Sequence, residues 1–563
     1  MGVYRTIFRF AGSGTMLAIA RAILLYFIPF SIICMIYTLP DVPRTIGILQ
    51  PIIFFLLLVI SRIIVRYFLT DIMRVHGFRG DVRKILIYGG GSSGRQLASS
   101  LKQEPGFQII GFIDDDRRLD GNLLDSIKVY HAAKIERLIN LHGVTDIILA
   151  MPRNSKLKNR QIVERLEPFN LRVKTVPAIG DLVNGTITAE VVRDINVVDL
   201  LGRDPVPPDE LLLSKAIFQK TVMVTGAGGS IGSELCKQIM LRRPSRLVLV
   251  EMAEYALYRI EQDLTLMARD MPEGAAIDIV PELVNISEQV VVDRLFQRWM
   301  PDTVLHAAAY KHVPLVEHNP IGGMRNNIFG TYYCAKAAER CSVANFILVS
   351  TDKAVRPTNV MGATKRVCEL ILQALAQAGS TTKFVMVRFG NVLGSSGSVV
   401  PLFEKQIREG GPVTLTDRRI TRYFMTIPEA AQLVIQAGAI AQPGEVCVLD
   451  MGPSVKIIDL AKTMIRLSGL TLKEVNNPDG DIEIIEVGLR PGEKLYEELL
   501  IGENPEPTIH KKIFKAKEDF LPKDEIEPQL IAMRQHLLEG NAIESVALLK
   551  KLVPEFRSSA DAL

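Results

Sequence analysis

Thr221-Val-Met-Val-Thr-Gly-Ala-Gly-Gly-Ser-Ile-Gly232 is the stretch that sets the fold. A strand-like run, Thr221 to Val224, enters a Gly-x-x-Gly-x-x-Gly turn at Gly226, Gly229 and Gly232, with Ser230 and Ile231 between the last two glycines. A helix-like pattern (Glu234, Leu235, Lys237, Gln238, Ile239) leaves it. Backbone amides and a helix N-terminus in such a turn can face a pyrophosphate. The next apolar run, Arg246-Leu-Val-Leu-Val, ends at Glu251, nineteen residues past Gly232. An acid there hydrogen-bonds an adenosine ribose and repels a 2′-phosphate, which favours NAD over NADP. The stretch predicts an α/β domain with a doubly wound parallel sheet.

Further on, Ser350, Thr351, Asp352, Lys353, Met361 and Lys365 fall within sixteen residues, directly behind the strand-like Asn345-Phe-Ile-Leu-Val. A hydroxyl, a carboxylate and two amines so close together read as an active site. Thr303-Val-Leu-His-Ala-Ala-Ala is another core strand, and its small residues Ala307 and Ala308 let backbone approach a cofactor closely.

Six motifs occur in order. They are the glycine turn, His306-Ala-Ala-Ala-Tyr-Lys-His-Val-Pro-Leu-Val-Glu317, the Ser350–Lys365 stretch, Arg388-Phe-Gly-Asn-Val-Leu-Gly394, Ile420-Thr-Arg-Tyr-Phe-Met-Thr426 and Gly488-Leu-Arg-Pro-Gly-Glu-Lys-Leu-Tyr-Glu497. Together they closely resemble the membrane-bound nucleotide-sugar 4,6-dehydratases of bacterial polysaccharide and glycan biosynthesis, a branch of the extended short-chain dehydrogenase/reductase superfamily. The resemblance covers nearly the whole chain. It implies C4 oxidation of a UDP-N-acetylglucosamine-type substrate, loss of water across C5–C6 and hydride return to C6, giving a UDP-4-keto-6-deoxy-amino sugar.

The same resemblance implies roles. Asp352 serves as acid to the departing hydroxyl and Lys353 as base at C5, provided neighbouring cations depress the lysine pKa. Lys365 holds the nicotinamide ribose and supplies positive potential. Most short-chain dehydrogenases have Tyr four residues before that lysine; here the position is Met361, and a thioether takes no proton. The Ser/Thr-Met-Lys pattern belongs to the larger membrane dehydratases, and the C4-hydroxyl proton is then left to Asp352 through Thr351 or a water. Asn285 stands where the family has an adenine-contacting Asp, Asn327 matches an Asn that orders the site backbone, and Lys311 matches a position near the substrate. Asn391 resembles an amide that meets the substrate diphosphate, and Arg422, Arg490 and Glu493 fit a nucleotide-diphosphate site, because guanidinium groups recognise phosphate bidentately. Simple packing or capping is the preferred reading of His306. A nucleotide-sugar epimerase is the second reading, and a non-catalytic, membrane-tethered nucleotide-sugar-binding protein the third.

Totals bound the rest. The 563 residues suggest two or three domains. Sixty-six basic against 62 acidic groups give no field for nucleic acid. Six cysteines without Cys-x-x-Cys spacing suggest neither a metal site nor disulfides, in keeping with a reducing, cytoplasmic catalytic part.

Residues 1–75 read as a membrane anchor. Ala22 to Leu39 and Thr45 to Ser61 hold no charge and approach the roughly 17–25 residues of a membrane helix. Arg5, Arg9 and Arg21 precede the first run, and Arg62, Arg66, Arg74 and Arg79 follow the second, while the connection holds only Asp41 and Arg44. The positive-inside rule then makes this a multi-pass protein of the bacterial inner membrane with both ends in the cytoplasm. Relatives of the resembled family often carry four spans, so a shortened chain, or an assigned start downstream of the original one, is expected.

Residues 80–180 form a first Rossmann-like unit: Lys84-Ile-Leu-Ile-Tyr leads into Gly89-Gly-Gly91-Ser-Ser-Gly94, and Asp114 ends the next apolar run. No acid–base cluster accompanies this turn, which could bind a nucleotide or a regulator or serve as a folded spacer. Residues 181–218 read as a linker, 219–525 as the catalytic domain and 526–563 as a helical tail for packing or oligomer contacts. A homo-oligomer is expected.

Overall fold

The computed structural model describes residues 13–36, 43, 45–67, 82–102, 104, 106–151, 156–176, 193–194, 207–269, 271, 277–395, 397–498 and 505–558. Most of the expected linker and the flanking Arg5, Arg9, Arg44, Arg74 and Arg79 lie outside them. The chain divides into two compact units, residues 1–152 with 174–193 and residues 153–173 with 194–563.

The first unit opens with helices Ser13–Ile36 and Ile46–Tyr67. They pack closely at Gly47, where an added Cβ would lie 2.9 Å from Cys34 Cβ, and Ser31 Oγ donates to the Gly47 carbonyl at 2.7 Å. No helix among the described residues is long and apolar enough to cross a membrane. This overturns the expected transmembrane helices and the multi-pass inner-membrane location, and it leaves the membrane without support as a partner. The uncharged part of the first helix runs only from Ala22 to Ile36 and that of the second from Ile46 to Ser61, each short of the roughly 20 residues a bilayer core requires. Each helix also contains a proline, Pro29 and Pro51.

The sheet that follows has seven strands, with Arg83–Tyr88 at its centre between Phe107–Asp114 and Asp146–Leu149, both parallel to it. The unit's buried core includes Ile85, Ile87, Leu97, Phe112 and Val129. The glycine turn after Tyr88 is tight: a Cβ on Gly94 would sit 2.0 Å from the Gly89 carbonyl oxygen. Gly90 N donates to Asp114 Oδ2 at 2.9 Å, so the acid closes on the turn.

The second unit is built on a nine-stranded sheet: β1 (Thr221–Thr225), β2 (Arg246–Glu251), β3 (Asp278–Leu283), β4 (Thr303–His306), β5 (Asn345–Val349), β6 (Lys383–Arg388), β7 (Val446–Leu449), β8 (Glu506–Pro507) and β9 (Ile513–Ala516). Their order is β3-β2-β1-β4-β5-β6-β7-β9-β8. The first seven in that order run parallel, and β9 returns antiparallel on β7. Valine, leucine and isoleucine fill both faces of the central strands, as a sheet covered on both sides requires. Helix α1 (Ser230–Met240) contributes to one covering layer, and α2 (Val360–Gln377) to the other.

Helices Lys523–Leu538 and Ala542–Leu552 belong to the α2 layer, where Ile526, Leu530, Met533 and Leu549 are buried. A separate lobe packs Val399–Arg408 and Ile457–Leu467 over a three-stranded sheet of Val413–Leu415, Ile482–Glu486 and Leu472–Lys473. The chain order reverses between β1 and β4, which opens a crevice at the carboxyl ends of the strands.

Candidate active site

A cleft of about 990 Å³ lies at that crevice, between the strand ends and the lobe. Gly229, Ser230, Ile231 and Gly232 form one wall. The turn that carries them depends on absent side chains: a Cβ on Gly232 would sit 1.9 Å from the Gly226 carbonyl oxygen, and one on Gly226, where φ is +69°, would sit 2.8 Å from Ala308 Cα. Ala307 reaches the cleft, whereas Gly226 and Ala308 brace the turn from behind. Glu251 Oε2 accepts from Gly228 N at 3.1 Å and Oε1 from Met252 N at 2.9 Å, so its carboxylate is fastened beside the turn. Asn285 Oδ1 accepts from Ser287 N and Oγ and does not reach the cleft wall.

The acid–base groups converge at the far side. Strand β5 ends at Val349, and Ser350, Thr351 and Lys353 line the cleft. Ser350 Oγ is turned away, donating to the buried Glu369 Oε1 at 2.6 Å. Thr351 Oγ1 donates to Asp352 Oδ1 at 2.9 Å, and Lys353 Nζ donates to the same oxygen at 3.0 Å. Asp352 is wholly buried, and its Oδ2 has no hydrogen-bond partner. Met361 and Lys365, one turn apart on α2, both face the cleft.

The surroundings of Lys353 differ from the expectation of depressing cations. Burial works against its charge, but Asp352 and then Glu497 outweigh burial, with Arg422 opposing them, and the amine titrates above its ordinary value. Lys365 is shifted the other way, chiefly because burial disfavours its ammonium while Cys368 and Glu369 only partly compensate.

Asn391 reaches Lys353 Nζ at 3.4 Å through Oδ1. Arg422 lies 3.3 Å from Glu493 Oε1 and donates to the Leu495 carbonyl at 3.2 Å, so in this state it is bound to the segment that carries Arg490. Arg490 and Lys311 also line the cleft. The loop around Arg490 is pinned to α2, since Thr358 Oγ1 and Asn359 Nδ2 each donate to the Gly492 carbonyl at 3.0 Å, while Asn359 Oδ1 caps the helix through Gly362 N. Among the described residues no group of three or more His, Cys, Asp or Glu is arranged to hold a metal.

A profile described as polysaccharide biosynthesis protein matches residues 222–518, and one described as CoA-binding domain matches residues 1–177. The capsular polysaccharide biosynthesis protein CapD of Staphylococcus aureus is 41% identical over 471 residues, 83% of this chain and 76% of that protein. The chain belongs to the polysaccharide biosynthesis protein family. This family member is an enzyme of the extended short-chain dehydrogenase/reductase type. It is also similar to a UDP-N-acetylglucosamine 4,6-dehydratase (inverting) of Campylobacter jejuni, 31% identical over 53% of this chain and 82% of that one. A UDP-glucose 4-epimerase of Rickettsia canadensis is 32% identical over 51% and 79%.

In the sequence His306 reads as a packing or capping residue and Asn327 as one that orders the site backbone, but the Glu497 contact does not show. His306, buried between Thr225 Oγ1 at 2.7 Å and Thr331 Oγ1 at 2.9 Å, is held neutral, its pKa pushed down to about 3 by burial and then by Lys365. Asn327 ties the Tyr310 backbone to Thr364 Oγ1 at 3.0 Å, joining the loop after β4 to α2. Glu497 approaches Lys353 Nζ at 3.4 Å. It closes the Gly488–Glu497 motif, but nothing in the sequence separates it from Glu498, which pairs with Arg356 instead.

Proposed function

We propose that the chain is an NAD-dependent 4,6-dehydratase acting on a UDP-N-acetylglucosamine-type sugar nucleotide, yielding a UDP-4-keto-6-deoxy-amino sugar for surface polysaccharide. One observation carries the choice over epimerisation: Met361 occupies the cleft position one helical turn before Lys365, while Lys353 lines the same space and is paired with the buried Asp352. A thioether offers no proton transfer, and an adjacent acid and base are what an elimination needs.

The site fits a dinucleotide. The glycine turn leaves no room for side chains, Gly229 to Gly232 at the start of α1 line the cleft, and Glu251, fastened beside the turn, suits a ribose with a free 2′-hydroxyl. When bound, NAD supplies a hydride acceptor for C4 and later a donor for C6. Gly229 to Gly232, Ala307 and Lys365 would hold it.

The chain's own groups do the proton work. Thr351, already donating to Asp352, relays the C4-hydroxyl proton to that carboxylate. The ketone acidifies C5, Lys353 takes the C5 proton in its neutral form, and Asp352 passes the stored proton to the C6 hydroxyl, which leaves as water. Lys353 then returns a proton to C5. Arg422, Arg490 and Asn391 hold the diphosphate, with Val399 and Phe403 offering an apolar wall for the base.

The experiment is incubation of the full chain with UDP-N-acetylglucosamine in D2O, with mass spectrometry and NMR of the product. Loss of water with deuterium at C5 is expected. An unchanged mass with an inverted carbon means epimerase, and no reaction with several UDP-sugars leaves only binding.

A further inference from the structure

The dehydratase reading, on which this inference rests, contains an unassigned proton. Lys353 must be neutral to act at C5, yet in the resting site it is an ammonium held by acceptors on three sides: Asp352 Oδ1 at 3.0 Å, Asn391 Oδ1 at 3.4 Å and Glu497 Oε1 at 3.4 Å. The C4-hydroxyl proton, once delivered to Asp352, neutralises the nearest of the two carboxylates. Lys353 then keeps one charged partner, Glu497.

Glu497 is placed to matter. Its side chain is 3% exposed, and its Oε2 is buried without a hydrogen-bond partner, an arrangement that costs free energy unless the oxygen is used. The other charged groups around it are accounted for. Arg422 Nε lies 3.8 Å from Oε1 but is engaged with Glu493, Lys494 donates to the Val355 carbonyl and to Glu498, and Lys365 lines the cleft from α2. Beside so buried a carboxylate, an ammonium and a carboxylate lose little by becoming an amine and an acid, because the neutral pair carries no desolvation penalty.

We propose that Glu497 is a positioning residue that accepts the Lys353 ammonium proton after Asp352 has been neutralised, freeing the amine to act at C5. The proton balance closes. The C4 oxidation places one proton on Asp352, and one N–H proton of Lys353 moves to Glu497. Elimination puts the C5 proton on Lys353 and moves the Asp352 proton into water. The final step returns a proton from Lys353 to C5, and Glu497 restores the ammonium. No electrons move in any step involving Glu497.

The test is Glu497→Gln in the full chain with bound NAD and UDP-N-acetylglucosamine, compared with wild type across neutral to mildly alkaline pH. Without a local acceptor, Lys353 must lose its proton to solvent. C4 oxidation then proceeds and reduced cofactor accumulates, product formation at neutral pH falls by about tenfold or more, and it recovers as pH rises, by about tenfold per unit. Wild type stays flat over the same range. An amide variant with wild-type rate, or a slower one with an unchanged pH profile, overturns the proposal. If the amide variant does not fold, Glu497→Asp serves: it keeps the acceptor but retracts it, so a slower, pH-flat reaction is expected, and an unaltered rate overturns the role. Wild type that removes no water sinks the dehydratase reading itself, and the Glu497 role with it; wild type that dehydrates while Glu497→Gln behaves identically sinks Glu497 alone.

Discussion

Arg388 grips Glu369 from β6 with two hydrogen bonds, Nε to Oε1 at 2.8 Å and Nη2 to Oε2 at 2.5 Å, and neither side chain is exposed. The pair belongs to a larger cluster, for Arg366 lies 3.1 Å from Glu369, and Glu518 pairs with both arginines. Ser350, one residue before Thr351, donates into the same carboxylate, so the cluster fixes the backbone that presents the acid–base groups. Removing one member leaves a buried charge uncompensated. Glu369→Gln is expected to lose about 3–5 kcal/mol of stability, read by urea denaturation. A loss below about 1 kcal/mol would mean the cluster is interchangeable with neutral packing.

His306 predicts a mild-acid weakness. Its folded pKa of about 3 lies below the ordinary histidine value, so between those limits the unfolded chain binds a proton that the folded chain refuses. Stability therefore rises with pH through this window and falls on acidification. From pH 7 to 5 this one group should account for about 2 kcal/mol. His306→Gln should flatten the pH dependence of the thermal midpoint over that interval, and an equally steep dependence in the variant would assign the effect elsewhere.

Gly232→Ala should weaken cofactor binding. The new methyl would meet the Gly226 carbonyl at 1.9 Å, so the turn has to open and its amides swing from the cleft. Titration with NAD, followed by calorimetry, should show affinity weakened by about tenfold or more, whereas unchanged affinity would show that the turn tolerates opening.

Asp352→Asn keeps an acceptor for Lys353 while removing the carboxyl proton. The expectation is a kcat lowered by about 100- to 10,000-fold with KM for the sugar nucleotide little changed. A change confined to KM would place Asp352 in binding and not in proton transfer.

Much of the second unit could be read directly from residues, because its signals are local. The glycine spacing, the apolar strands and the acid ending β2 all lie within about thirty residues of one another, and β1, α1 and β2 fall where the pattern puts them. The proposed acid–base residues Asp352, Lys353, Met361 and Lys365 stand out for the same reason, being close together in the chain. The environment of Lys353 was not. It depends on Glu497, more than a hundred residues away in sequence, and on which of two adjacent glutamates turns inward. The N-terminal helices misled for a different reason. Hydropathy alone marks Ala22–Leu39 and Thr45–Ser61 as spans, but within the helices Ser13–Ile36 and Ile46–Tyr67 the uncharged stretch begins only after Arg21 in the first and stops before Arg62 in the second.

Glu518 is supplied 130 residues after Arg388, from the segment beyond β9 that returns beneath the cleft. During synthesis Arg366 and Arg388 therefore leave the ribosome long before their second carboxylate exists. The cluster is electrically incomplete until nearly the whole chain has emerged, and a chain cut between Arg388 and Glu518 sets two buried arginines against the single carboxylate of Glu369. Such a fragment should be markedly less stable than the full chain, because one buried positive charge is left uncompensated.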